Sequence, residues 1–294
     1  MTGRAEAGPA AAAGGGTAPP GGEAVLEVRR VSMRFGGLKA LSDFDLTMRP
    51  RELVGLIGPN GAGKTTAFNA ITGVYAPTEG DVLLGGERVN GMRPHRICAR
   101  GVARTFQNVR LFRELSALDN VRIACHAGSR SGFLSAWLLT PTHFEEEERI
   151  HRRAAQFLEV MGLSGRRDEL ARNLPYGEQR RLEIARALAT RPRVLCLDEP
   201  GAGMNASEKV ALMDLIRRVR DQFACAVLLI EHDMRLALGV SERVLVLDHG
   251  VTIAHGRPEE VRRDPKVIEA YLGDAYLEER HLPVPAGQVE GEGA

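Results

Sequence analysis

The chain has 294 residues, 44% of them hydrophobic, and 39 basic against 38 acidic side chains leave a net charge of +1. That length and apolar content allow a substantial core, as one large domain or two small ones, while the balanced charge argues against a broad nucleic-acid-binding surface, so no nucleic-acid partner is expected. The uncharged apolar stretch from Phe223 to Ile230 is far too short to span a bilayer, and the N-terminus has no apolar signal core that would point to secretion.

Residues 1–23 are mostly Gly, Ala and Pro, which cannot bury enough apolar surface to offset their ordering entropy and read as a disordered leader. A globular part is expected over 24–280 and a flexible tail over 281–294. Residues 24–50 alternate as short antiparallel strands would, and include Phe35, an aromatic able to stack on a nucleobase. The apolar run Leu53 to Ile57 reads as a strand, and Thr66 to Thr72 as a helix that Gly73 stops.

Between that strand and helix lies Gly58-Pro59-Asn60-Gly61-Ala62-Gly63-Lys64-Thr65, which fits the phosphate-loop pattern G-x-x-x-x-G-K-[ST]. Its glycines let successive backbone N–H groups converge on a polyphosphate, and the helix N-terminus, which continues at Thr66, adds its positive end. Lys64 supplies a mobile charge for the outer phosphates, and the Thr65 hydroxyl suits a Mg²⁺ ligand. The chain has only four lysines, Lys39, Lys64, Lys209 and Lys266, so the pattern is unlikely to arise by composition. The loop implies a nucleoside triphosphate without saying what its energy drives.

A further strand pair is predicted over Asp81 to Val89, and the region from about 113 to 190 reads as mainly helical. Within it, Gly128 to Pro141 has the look of an insertion carrying Phe133, Trp137 and Leu138, either a small packed hairpin or a contact surface. Thr142 and Glu145 form a capping-box pattern ahead of a helix with Ile150, Ala154, Phe157, Leu158 and Met161 on one stripe. Glu145 to Glu148 then form a solvated first turn. Leu174 to Arg181 is predicted as a glycine loop feeding the helix Leu182 to Ala189, a second potential anion site. One fold rarely needs two such sites for one nucleotide, and one solution is that this loop meets the nucleotide of a partner subunit.

Val194 to Leu197 reads as a buried strand with Asp198 and Glu199 at its C-terminal edge, where ligands of open α/β sheets bind. Asp198 is placed to hold Mg²⁺ through water and Glu199 to polarise an attacking water as general base. Ser207 is predicted to cap a helix with Leu212, Leu215, Ile216, Val219 and Phe223 on one face. A last buried strand, Ala226 to Ile230, ends in Glu231-His232-Asp233, where His232 can reach the γ-phosphate and hold water and Glu199 in register. Of Cys98, Cys125, Cys196 and Cys225 none forms a C-x-x-C pair; Cys196 and Cys225 read as buried free thiols, consistent with a reducing cytosol.

Phosphate loop, glycine loop, acidic pair and terminal histidine occur in the order and approximate spacing of the ATP-binding subunits of ABC transporters, which about residues 24–273 resemble. The resemblance implies an α/β fold, a P-loop (RecA-like) core with an antiparallel β subdomain and an inserted helical subdomain over about 108–190. It further implies that Phe35 stacks on adenine, and that Gln107 senses Mg²⁺ and the γ-phosphate. Leu174 to Gln179 would be the signature motif, with Tyr176, Gly177 and Glu178 completing a partner's site. Ala202-Gly203-Met204-Asn205 would cross the dimer interface beside Glu199.

Two departures stand out. Leu174-Pro175-Tyr176-Gly177 replaces the commoner Leu-Ser-Gly-Gly, so a serine hydroxyl is missing, and Asn205 stands where aspartate is usual. Both are familiar in the branched-chain amino acid transporter ATPases, which the runs Phe68 to Tyr75, Arg104 to Phe112 and Glu269 to Gly273 also resemble. The expected activity is therefore ATP hydrolysis with Mg²⁺, driving amino acid import. The expected setting is the inner face of the cell membrane, with permease subunits, a second ATP-binding subunit and indirectly an extracytoplasmic substrate-binding protein. Lipid or lipopolysaccharide export shares every catalytic motif and stays open, as does, more remotely, a non-transport ABC ATPase; the cargo is not readable from this chain.

Overall fold

The computed structural model describes residues 24–128 and 141–271. The expected leader, the insertion residues Phe133, Trp137 and Leu138, the pair Leu272 and Gly273, and the tail lie outside the described residues.

Two sheets organise the molecule. The first is antiparallel, in the order β2 (Leu38–Met48), β1 (Leu26–Phe35), β4 (Glu79–Leu84), β5 (Glu87–Arg88). The expected short strands of residues 24–50 are in fact long, 10 and 11 residues, and join the Asp81 to Val89 pair in one sheet. The second sheet has the order β10 (Val251–Gly256), β9 (Arg243–Asp248), β3 (Leu53–Ile57), β8 (Ala226–Ile230), β7 (Val194–Asp198), β6 (Val102–Arg104). Its strands β9 to β6 pair in parallel, and only β10 runs against its neighbour.

The inner strands β3, β7 and β8 of the second sheet are buried on both faces, which is why they read as continuous apolar runs. Alternate residues part between two cores. Val54, Leu56, Cys196, Leu228 and Ile230 pack with the antiparallel sheet and with helix α1 (Lys64–Ile71). Leu53, Leu195, Leu197, Val227 and Leu229 face a helical layer instead. That layer comprises α3 (Ala117–Cys125), α4 (Pro141–Val160), α5 (Tyr176–Ala189) and α6 (Ala206–Phe223), with α2 (Pro94–Ala99) on the other side of the sheet beside α1. Burial pushes the Cys196 thiol up to about 12, consistent with an inert core cysteine.

Helix ends account for most departures from the sequence reading. Helix α6 is capped by Asn205, not Ser207: Asn205 Oδ1 accepts from Glu208 N and Glu208 Oε2 accepts from Asn205 N, each at 2.9 Å. Ser207 lies inside the first turn and donates to Asn205 Oδ1 at 2.7 Å. The aspartate-to-asparagine departure thus keeps a strong cap. Helix α4 is described from Pro141 onward, so Thr142 falls within it rather than ahead of it. Tyr176 and Gly177 are the first residues of α5, with Pro175 at the N-cap, so the expected glycine loop is already helix. The stripe Ile150, Ala154, Phe157, Leu158 and Met161 is buried as expected.

Candidate functional site

Register fixes where the chemistry gathers. Ile230 pairs with both Asp198 and Leu56, so the chain leaves β3, β7 and β8 along one edge of the sheet. Gly58, Glu199 and Glu231 each follow such an exit. Gly58 has φ +151°, and a Cβ there would fall 2.0 Å from Leu247 O. Gly63 at the N-cap of α1 has φ +100°, and a Cβ would fall 2.7 Å from Ala40 O. Two neighbouring strands therefore leave the loop room for backbone only.

Residues 60–66 of that loop line a cavity of about 420 Å³ together with Gln107, Glu199, Lys39, Ala40 and His249. Lys64 is buried, its Nζ donating to Gly58 O at 2.5 Å and Pro59 O at 2.7 Å. Lys39 and His249 were not singled out from the sequence; both come from β-hairpin segments with no motif of their own.

The acidic pair divides its duties. Asp198 is buried and its Oδ2 accepts from Arg104 Nη2 at 2.8 Å. Arg104 also donates from Nη1 to Asn69 Oδ1 at 2.6 Å, tying the start of this loop to α1. Glu199, one residue on, has φ +45°, a costly conformation for a side chain with a Cβ and one that recurs at active sites. Its N donates to Ile230 O at 3.0 Å, which holds the turn. Gln107 Nε2 donates to Glu199 Oε2 at 2.9 Å, and His232 Nδ1 stands 3.8 Å from the same oxygen. Gln107, Glu199 and His232 are thus one cluster, beside the phosphate loop.

Beneath the cluster Glu231 is 1% exposed and accepts from Gly201 N at 3.0 Å. Burial, helped by the nearby Glu199 and Asp233 charges, pushes its carboxyl up to about 7, against the Gly201 amide and Lys209. Glu231 was read only as a flank of His232; its role in holding the turn after Glu199 was not apparent.

Other expected site residues stand apart. Phe35 is 43% exposed and meets Tyr75 edge-on, ring centroids 5.1 Å apart, but it does not line the phosphate-loop cavity. Tyr176, Gly177 and Glu178 do not line it either. Gly177 and Glu178 border a separate groove with Met204, Glu208 and the end of α4. Within one chain, then, the two glycine-bearing segments face different spaces.

Comparison with known proteins identifies the family. The sequence pattern described as "ABC transporter" matches residues 41–202, and one described as "Branched-chain amino acid ATP-binding cassette transporter" matches residues 251–276. The high-affinity branched-chain amino acid transport ATP-binding protein LivG of Escherichia coli (strain K12) is 47% identical over 251 residues, 85% of this chain and 98% of LivG. The lipopolysaccharide export system ATP-binding protein LptB of the same organism is 33% identical over 253 residues, 86% of this chain and 99% of LptB. Among solved structures, the ADP conformation of MJ1267, an ATP-binding cassette of an ABC transporter, superposes with a TM-score of 0.74 at 30% identity, covering 85% of this chain and 99% of MJ1267. The chain belongs to the ATP-hydrolysing ATP-binding cassettes of ABC transporters.

Proposed function

We propose that this chain powers import of branched-chain amino acids, working as one of two cassettes at the inner face of a membrane under a pair of permease subunits. Similarity to LivG exceeds that to LptB, 47% against 33%, which favours import of amino acids over lipopolysaccharide export. None of the described helices is long and apolar enough to cross a membrane, and the permease subunits would supply the translocation path. The exposed Phe112 and the segment following Gln107 offer those permeases a surface. A substrate-binding protein outside the membrane would select the cargo.

The observation that carries the hydrolytic part of the reading is the Gln107–Glu199–His232 cluster beside the phosphate loop. Backbone amides of residues 60–65 receive the phosphates, and Lys64 turns from the Gly58 and Pro59 carbonyls to the outer phosphate oxygens. Thr65 and Gln107 line one cavity, and Asp198 adds a buried carboxylate nearby. Few protein oxygens beside substrate phosphates suit Mg²⁺, so Thr65, Gln107 and, through water, Asp198 would hold it. When bound, Mg²⁺ supplies charge neutralisation for the phosphates. Glu199 takes a proton from the attacking water, with Gln107 fixing its carboxylate and His232 aligning the water against the γ-phosphate. Phe35 would stack on the adenine, and Tyr176, Gly177 and Glu178 of one cassette would close over the ATP of the other.

Glu199→Gln is expected to retain ATP binding and lose steady-state hydrolysis by at least about 100-fold. Near-normal turnover in that variant removes Glu199 from the general-base role.

A further inference from the structure

Thr105 N still donates to Cys196 O of β7 at 3.0 Å, but beyond it the loop that carries Gln107 takes the backbone partners of Phe106, Gln107 and Arg110 from a helix. Along α5, Arg180, Glu183 and Arg186 recur every three residues and so share one face. Arg180 donates from Nη1 to Phe106 O at 2.6 Å and from Nη2 to Gln107 O. Glu183 Oε1 accepts from Phe106 N at 3.4 Å and Arg110 N at 3.2 Å, and Arg186 Nη1 donates to Arg110 O. Arg180 and Glu183 also pair with each other at 3.2 Å, their side chains only 2% and 6% exposed. Buried charges that complete one another's hydrogen bonds fix a geometry strongly, because moving one strands the rest.

The same arginine reaches the other way. Arg180 Nε donates to the Tyr176 hydroxyl at 3.1 Å, with the guanidinium 5.4 Å from the ring centroid. Tyr176 is itself 43% exposed. Its ring lies against Gly203, where an added Cβ would fall 3.1 Å from Tyr176 Cε1. Gly203 belongs to the turn that follows Glu199, and Gln107 holds the Glu199 carboxylate at 2.9 Å. One exposed ring therefore bears on Glu199 by two routes, through Arg180 and Gln107 and through the turn at 200–205.

We infer that Tyr176 is a positioning residue that transmits the presence of the partner's nucleotide to this chain's own Glu199 through Arg180 and the backbone of Gln107. This rests on the proposed pairing of cassettes, in which Tyr176 faces the ATP of the partner. A triphosphate seated on the ring restrains the hydroxyl. Arg180 follows because each of its three nitrogens is engaged, by Tyr176, by Phe106 and Glu183, and by Gln107, and the loop follows Arg180. Glycine at this position has no hydroxyl to offer Arg180, which gives the tyrosine of this chain a function that a loss of signature serine alone does not explain.

The test is steady-state ATP hydrolysis by the assembled transporter carrying Tyr176→Phe, Arg180→Lys, both, or Glu199→Gln. Tyr176→Phe keeps the ring and removes only the acceptor for Arg180; Arg180→Lys keeps the charge and removes the fork. Tyr176→Phe is expected to lower kcat about tenfold and to change KM for ATP far less, since the hydrogen bond to Arg180 is lost while the ring against the partner's ATP and the phosphate loop are kept. In the Arg180→Lys background it is expected to have no further effect. A normal kcat for Tyr176→Phe, a rise in KM with kcat unchanged, or additive single effects would each overturn the relay. If Arg180→Lys does not assemble, the kcat and KM of Tyr176→Phe decide alone. Inactive Glu199→Gln with normal Tyr176→Phe overturns the relay only; active Glu199→Gln overturns the proposed site and the relay with it.

Discussion

The phosphate loop and the loop carrying Gln107 lie on opposite sides of Glu199 and are built by different means. Residues 58–65 are shaped by backbone: positive φ at Gly58, Gly61 and Gly63, and neighbouring strands too close for a Cβ at the first and last of these. Residues 106–110 are shaped by side chains of another element, Arg180, Glu183 and Arg186. A loop shaped by backbone packing presents its N–H groups without a side chain from another element. A loop hung on a helix goes where that helix goes. The first suits a fixed cradle for polyphosphate; the second would suit the residue that the proposed relay moves.

Substitutions can break this contrast, beginning with the most severe. Gly58→Ala should abolish ATP binding and expose the chain to unfolding, because its Cβ meets backbone at 2.0 Å, where nothing can yield. Gly61→Ala, with φ +79° but open space around it, should cost only about 1–2 kcal/mol and leave measurable binding by isothermal titration. Equal losses at both positions would mean that φ rather than close approach governs the loop.

Next is the tether at the start of the Gln107 loop. Arg104→Ala leaves Asp198 buried without its partner, the two side chains being 10% and 7% exposed, and should lower stability by about 3–5 kcal/mol in urea denaturation. Arg172→Ala, whose pair with Glu114 is largely exposed, should stay within about 1 kcal/mol of the parent. A mild Arg104→Ala would show that α1 and β6 hold the loop start without it.

The smallest expected effect is on pH. Glu231 has an ordinary value of 4.5 and is raised to about 7 by burial and by Glu199 and Asp233, against the Gly201 amide and Lys209. A carboxyl raised on folding contributes stability below its unfolded value and loses it as pH rises through the folded one. Between about pH 4.5 and 7 the melting temperature should therefore fall by several degrees relative to Glu231→Gln, which still accepts from Gly201 N. Parallel curves for the two proteins would remove Glu231 from the turn's pH dependence.

Sequence reasoning reached what is local. Strand β3, strand β8 and the acidic edge of β7 are legible because parallel strands buried on both faces are unbroken apolar runs. The phosphate loop is legible because its φ angles demand glycine. The cap of α6 was also within reach, since Asn205 and Glu208 carry the capping-box spacing that Ser207 lacks an equivalent for. Arg104 with Asp198 and Arg180 with Phe106 were not, since the partners are 94 and 74 residues apart and nothing in either segment announces the other. Those long pairings are the ones that join Gln107 to the rest of the site.

A structure of Glu199→Gln with ATP and Mg²⁺ bears on all of this at once. Two cassettes should face each other, with Tyr176 of each against the nucleotide held by residues 58–65 of the other. A nucleotide enclosed within a single chain, with Tyr176 turned to solvent, would contradict the shared site.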